Sequence, residues 1–252
     1  MTTTLIVIAH PSPSSFTSAW SKASANALRK LGDRVLWSDL YALGFDPVET
    51  SGHYTLSEVG FDVLKAQENA SINNNLPNDV QAEIDKIRQA DRIIIHFPVW
   101  WFAPPAILKG WCDRVLAHGL MHDVDNRFDR GRFKGKRVLF CASTGADENE
   151  TAHNGKEGEI EMLLWPLAYT FRYLGFTVLK PRVIHGVHGY FEGADEDRLQ
   201  GRLSESLLEY ESALAAFNEL GEITFNKDTD FDQNGQLKSS APSHSLFIRH
   251  SR

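Results

Sequence analysis

Apolar and polar positions along the chain fall into two regimes: short unbroken apolar runs, and longer stretches in which apolar residues recur every three or four positions. The first run, Leu5 to Ala9, reads as a strand buried on both faces. Ser14 and Ser15 then offer N-caps for a helix whose stripe is Phe16, Trp20, Ala23, Ala27, Leu28 and Leu31, stopped by Gly32. Arg34 to Leu40 reads as a second strand. Residues 42–76 are polar and irregular, and are expected to form a long insertion that contacts a ligand or serves as a dimer arm. Regularity resumes with a helix from Pro77 to about Ala90, a strand from Arg92 to Phe97, a helix opening at Pro104 or Pro105 and reaching about Leu116, and a strand from Arg137 to Ala142. A helix carrying Met162, Leu163, Pro166, Phe171 and Leu174 ends at Gly175, and Thr177 to Ile184 makes a fifth strand. The last helix spans roughly 195–217, with Leu199, Leu203, Leu207, Tyr210, Leu214 and Phe217 on one stripe.

Five strands alternating with helices predict an α/β chain: a three-layer, doubly wound, five-stranded parallel sheet covered on both faces. Residues 1–218 are expected to form that domain, and residues 219–252 a C-terminal extension whose Ser, Asn and Asp content allows a flexible tail. In an open sheet of this kind a ligand lies beyond the carboxyl ends of the strands, where the strand order reverses. The loops after strands one, three and four therefore matter most. The first, His10-Pro11-Ser12-Pro13-Ser14-Ser15-Phe16-Thr17, offers hydroxyls and a helix N-terminus, as suitable for an anion as for simple capping. It has no glycine and matches neither the Walker nor the GxGxxG pattern. The second, Pro98-Val99-Trp100-Trp101-Phe102, puts three adjacent aromatics where turns normally carry small polar residues; a planar heteroaromatic ligand or a subunit interface would each use them. The third, Ser143-Thr144-Gly145-Ala146-Asp147, is small enough for close backbone approach.

Composition narrows the alternatives. The chain has 252 residues, a net charge of −7, 42% apolar and 23% charged residues, and no Lys/Arg run, so no nucleic-acid partner is expected. Cys112 and Cys141 share no redox or metal spacing and read as core thiols. The chain enters a strand without a basic leader, and no apolar run reaches bilayer length, which together make a cytoplasmic location the expectation. No metal site is expected. His118 and His122 are four apart but interrupted by Gly119, and Asp230, Asp232, Asn234 and Gly235 begin a calcium-loop pattern that ends in Ala241 where a Glu is required.

The run FPVWWFAPPAILKGWCDRVLAHG, preceded by LIVIAHPSPSSFTSAW and followed by STGA and LLWPLAYTFRYLGFTVLKP, resembles the flavin-dependent NAD(P)H:quinone oxidoreductases of the DT-diaphorase type. Ancillary subunits of potassium-efflux systems share these motifs. The resemblance covers residues 4 to about 217. It implies a flavodoxin-like fold, a homodimer with the active site at its interface, FAD in preference to FMN, and ping-pong transfer of a hydride from NAD(P)H to a quinone or similar electrophile. Carried over by position, flavin pyrophosphate and ribityl contacts fall on His10, Phe16 and Thr17. Ring contacts fall on Val99, Trp100, Trp101 and Phe102 and on Ser143, Thr144, Gly145 and Ala146, and the arginine beside the adenine on Arg198. The backbone N–H groups of Thr144, Gly145 and Ala146 would then stabilise negative charge on the ring edge.

The chain departs from this family at informative places. Thr151 and Glu157 stand where the family has a Tyr and a His, and His122 and Val124 where it has two substrate-gating tyrosines. Trp101, Gly145, His122, His153 and Glu157 are accordingly the candidate catalytic residues, with Thr151 among the cofactor contacts. Glu157 is expected to point away from the flavin while His153 or loop N–H groups act in place of the missing His. The second reading is a redox-sensing regulatory flavoprotein with a peripheral membrane partner.

Overall fold

A computed structural model describes residues 1–55 and 60–250. Six strands, β1 (Thr3–Ile8), β2 (Arg34–Asp39), β3 (Arg92–Pro98), β4 (Arg137–Ser143), β5 (Thr177–Val178) and β6 (Arg182–Ile184), form one parallel sheet in the order β2-β1-β3-β4-β5, with β6 continuing beside β4. Among the described residues, six α-helices accompany it: α1 (Phe16–Lys30), α2 (Val63–Ile72), α3 (Asn78–Gln89), α4 (Ala106–Val115), α5 (Ile160–Tyr173) and α6 (Ala194–Ala215). This is the doubly wound architecture expected from the apolar pattern.

The continuous apolar runs exist because both sheet faces are covered. Leu5, Val7, Ile93, Ile95, Val138 and Phe140 face a core shared with α3, α4 and α5. Their alternates Ile6, Ile8, Ile94, Leu139 and Cys141 face the core of α1 and α6. Strand order reverses between β1 and β3, so the crevice at their carboxyl ends is framed by the loops after β1, β3 and β4.

Two expectations need correcting. The stretch 42–76 is not irregular throughout, because α2 lies in it, opened by Asp62, whose side chain accepts from the Lys65 N–H. Its buried residues are only Ala66, Gln67 and Ala70, too small and too polar to print an apolar stripe. Residues 56–59 of that stretch lie outside the described residues. The fifth strand is broken rather than continuous. Leu179 N–H still donates to Val138 O at 2.9 Å, but Lys180 N–H turns to Gly221 O at 2.8 Å and Pro181 has no N–H to give. Residues beyond α6 use that edge: Ile223 N–H donates to Val178 O at 2.8 Å, and Leu179 and Glu222 form an antiparallel bridge.

One glycine shapes the path into the site. On α4, a Cβ at Gly110 would lie 2.1 Å from Pro47 O, so the segment before α2 crosses the helix in direct backbone contact.

Candidate active site

Ser15 caps α1 by accepting from Ser18 N–H at 3.1 Å, and Ser18 Oγ donates to Ser12 O at 2.9 Å, folding the loop after β1 tightly onto the helix. His10 Nδ1 lies 3.0 Å from Ser12 N and 3.3 Å from Ser12 O, tying the ring to the loop backbone. Burial holds His10 below its ordinary pKa. Its ring meets Trp100 edge-on at 5.7 Å, joining the first loop to the second. Phe16 packs on Trp20, and buried Thr17 reaches across to Ser143, with Oγ1 and Oγ 3.1 Å apart.

The loop after β3 is a hairpin. Val99 N–H donates to Ser143 O at 2.7 Å, extending the β3–β4 ladder. Trp100 and Ala103 then pair through both backbone hydrogen bonds, at 2.9 and 3.1 Å. The two residues between them, Trp101 (φ 50°) and Phe102 (φ 61°), are both left-handed, the pattern of a type I′ turn that normally carries Asn-Gly. Bulky aromatics in this region are strained, and Trp101 is 93% exposed. Pro104 and Pro105 follow, and α4 begins at Ala106.

The loop after β4 is less generous with donors than its sequence implied. Thr144 N–H is used by Ile184 O at 3.0 Å, and Ala146 N–H by Thr144 Oγ1 at 3.3 Å. Among the described residues the Gly145 N–H makes no hydrogen bond within the chain, and a Cβ there would meet nothing nearer than Val187 O at 3.9 Å.

Three neighbouring cavities share lining residues here. The middle cleft, about 540 Å³, is lined by Val99, Trp101, Phe102, Thr144, Gly145 and Ala146. Gly145 and Glu150 also line a cavity of about 670 Å³ with Arg198, Arg202 and His185. Phe102 and Leu163 also line an apolar cavity of about 1110 Å³ with His122, Trp165, Tyr169 and Tyr173.

The candidate residues distribute unevenly over these spaces. Glu157 is among the residues lining the middle cleft. His153 is exposed and lines none of the three cavities, because the turn at 152–155 carries it outward. Thr151 lines the cleft, but its hydroxyl donates back to Asp147 O at 3.0 Å. Arg198 is exposed and ion-paired with Asp195 at the far cavity. His122 stacks edge-on with His118 at 5.2 Å and Tyr173 at 5.3 Å, and burial followed by the His118 charge pushes its pKa down. Val124 is exposed. The sequence reading missed Glu150, His185 and Arg202. The His-Gly-Val-His-Gly run that follows β6, at the carboxyl end of a strand, was a usable signal for His185.

The match to known proteins agrees with this geometry. A family model described as a flavodoxin-like fold matches residues 2–207. A mouse ribosyldihydronicotinamide dehydrogenase [quinone] is 37% identical over 187 residues, covering 73% of this chain and 81% of the mouse protein. The chain is a member of the flavodoxin-like NAD(P)H:quinone oxidoreductase family. A rat NAD(P)H dehydrogenase [quinone] 1 is 34% identical, covering 73% of this chain and 68% of the rat protein. A solved structure of a candidate quinone reductase from Klebsiella pneumoniae superposes with a TM-score of 0.87 at 26% identity, covering 98% of both chains. This family member is an oxidoreductase. No helix among the described residues is long and apolar enough to cross a membrane.

Proposed function

We propose that the chain is a flavin-dependent reductase that carries two electrons from NAD(P)H to quinones in a ping-pong cycle, with FAD as the flavin. The observation that carries this reading is the middle cleft, lined both by the strained Trp101-Phe102 hairpin and by Thr144, Gly145 and Ala146. The residues fit a flavin: aromatic side chains at Trp101 and Phe102 and, among the described residues, an unpartnered N–H at Gly145 line the same cleft. When bound, a flavin accepts a hydride from a nicotinamide and returns two electrons to a second substrate.

The chain's own groups set the conditions for that exchange. Gly145 N–H supplies a donor to a developing negative charge, as in an oxyanion hole. Glu157 adds a carboxylate to the same slot, and His122 offers an imidazole to an acceptor carbonyl in the adjoining cavity. The Arg198 cavity, which shares Gly145 and Glu150 with the cleft, gives room for an adenosine, which favours FAD over FMN. A homodimer and a cytoplasmic location belong to the same reading. The relatives bear dehydrogenase names, which does not favour the regulatory alternative with a membrane partner.

The test is an anaerobic titration of flavin-loaded protein with NADPH, followed by addition of benzoquinone and chromatographic identification of the released cofactor. Loss of flavin absorbance at one equivalent and its rapid return with benzoquinone are expected. A protein that takes up neither FAD nor FMN overturns the proposal.

A further inference from the structure

Helix α2 grips the loop after α4 by the backbone of one residue. Gln67 Oε1 accepts from His118 N–H at 2.9 Å, and one turn further on Ser71 Oγ donates to His118 O at 3.0 Å. Gln67 is buried and both its donors are used, since Nε2 donates to Asp113 O and to Glu49 Oε2, each at 3.0 Å. Gly119 lets the helix come this close: it has φ 86°, and a Cβ there would lie 3.2 Å from Glu68 Cα and 3.3 Å from Ser71 Cβ. Both hydrogen-bonding groups of the His118 backbone are therefore held by side chains of one helix.

The His118 ring in turn meets the His122 ring. Their centroids are 5.2 Å apart at an interplanar angle of 61°, and the backbone between them is closed by Gly119 N–H donating to His122 O at 2.8 Å. Tyr173 of α5 also packs edge-on against His122, at 5.3 Å, and both line the apolar cavity of about 1110 Å³. Nδ1 of each histidine is buried and has no partner among the described residues, so a proton taken up there gains no hydrogen bond. Burial is the main reason His122 sits below its ordinary pKa, and the neighbouring His118 is the next. The Leu116 carbonyl and Asp123 act in the opposite sense, while Arg132, paired with Asp123, adds the smallest share in the same sense as His118. Tyr173, Gln67 and Ser71 bring no charge, Glu68 is exposed, and Lys109 and Asp113 of α4, which line the same cavity, are paired with each other.

We infer that His118 is a positioning residue for His122: clasped by α2, it fixes the orientation of that imidazole and holds it neutral at the wall of the acceptor cavity. This rests on the quinone-reductase reading above. Two imidazoles this close oppose each other's protonation, so the pair takes up its protons in separated steps. The consequence falls on the substrate. A quinone is neutral and enters an apolar cavity, where an imidazolium would give up water without gaining a free counter-ion, Asp123 being already paired with Arg132. A neutral ring avoids that cost and still has one N–H to offer a carbonyl.

The test uses the full-length protein and its His118→Phe and His118→Ala variants, both of which leave the backbone clasp in place. Phenylalanine keeps a ring against His122 and removes the charge, whereas alanine removes both. The His122 ring protons, assigned with His122→Gln, are first followed by NMR as pH is lowered, with neither flavin nor quinone present. In both variants the His122 midpoint is expected to move up by about half a pH unit. KM and kcat for 1,4-benzoquinone are then measured across pH with flavin-loaded protein. Below that midpoint His118→Phe is expected to raise KM about threefold over the parent at the same pH, the equivalent of half a unit in proton affinity, with kcat unchanged. At neutral pH His118→Phe matches the parent, while His118→Ala raises KM about threefold there too, roughly the worth of one aromatic contact. A His122 midpoint equal in the parent and His118→Phe overturns the inference, as does a neutral-pH KM equal in the parent and His118→Ala. Absence of quinone turnover in the parent fells the functional reading instead, and the NMR titration then decides this one alone.

Discussion

Thr17 Oγ1 and Ser143 Oγ lie 3.1 Å apart although 126 residues separate them, and they join the start of α1 to the end of β4 across the point where strand order reverses. Both residues are buried, so the pair is a hydrogen bond that water does not replace. Removing one partner leaves the other unsatisfied, at a cost of about 1–3 kcal/mol. Thr17→Val and Ser143→Ala are therefore each expected to lower unfolding free energy by that amount, and the double variant by little more than either alone. Urea titrations of the four proteins measure the coupling. Strict additivity would show that the two hydroxyls do not interact.

Gly110 and Gly201 give a pair of opposite sign. A methyl group on Gly110 would meet Pro47 O at 2.1 Å, a backbone atom unable to swing aside, whereas one on Gly201, exposed in the middle of α6, meets nothing within 4 Å. Gly110→Ala is expected to destabilise by about 3 kcal/mol or more, beyond the usual range for overpacking because backbone must move. Gly201→Ala is expected to stabilise by about 0.5–1 kcal/mol through helix propensity. Thermal and guanidinium unfolding of the two variants reads both signs.

His96 is fully buried on β3, with Nε2 2.9 Å from Ser24 Oγ, Nδ1 without a partner, and Trp20 and Tyr210 packed edge-on around the ring. Burial lowers its pKa to about 3. The unfolded chain takes up this proton near the ordinary value of about 6.5 and the folded chain does not. The stability due to the neutral ring is thus complete above that value and is lost as pH falls from there toward 3. Between pH 6 and 4 the contribution changes by about 1.4 kcal/mol per pH unit. His96→Gln, which can keep the bond to Ser24, is expected to remove that slope. Unfolding free energies of the two proteins at several pH values test it, and parallel curves would show that His96 does not titrate with unfolding.

The fold was legible because burial of both sheet faces forces unbroken apolar runs, as in Leu5–Ile8 and Ile93–Ile95, and these survive any detail of the loops. Helix α2 was not, since Ala66, Gln67 and Ala70 mark its buried side too faintly. The break at Lys180-Pro181 was visible as a proline but depended on a distant acceptor, Gly221 O. At the site, position in the topology singled out the three loops, and the family resemblance supplied residues within them. Neither source shows that Thr144 N–H is already used by Ile184, that Glu157 lines the same cleft as Gly145, or that Trp165 and Phe247 stack. Those facts arise from chain crossings with no local signature. The opposite holds for Trp101 and Phe102, where a turn lacking Asn and Gly was itself the sign of something unusual.

That turn sets stability against function. Trp101 has φ 50° and is 93% exposed, so the fold bears the strain of a left-handed aromatic and recovers almost no burial from it. Left-handed backbone costs an L-residue roughly 1–2 kcal/mol relative to glycine, offset in part by glycine's greater freedom in the unfolded chain. Trp101→Gly is expected to raise unfolding free energy by about 0.5–1 kcal/mol, the remainder of these two effects. The same change removes one wall of the cleft, and flavin affinity is expected to fall about tenfold, the equivalent of about 1.4 kcal/mol of lost ring contact. Urea unfolding of the flavin-free protein and equilibrium dialysis with FAD measure the two effects separately. A variant that is both more stable and undiminished in FAD binding would show that the strained tryptophan serves neither the fold nor the cofactor.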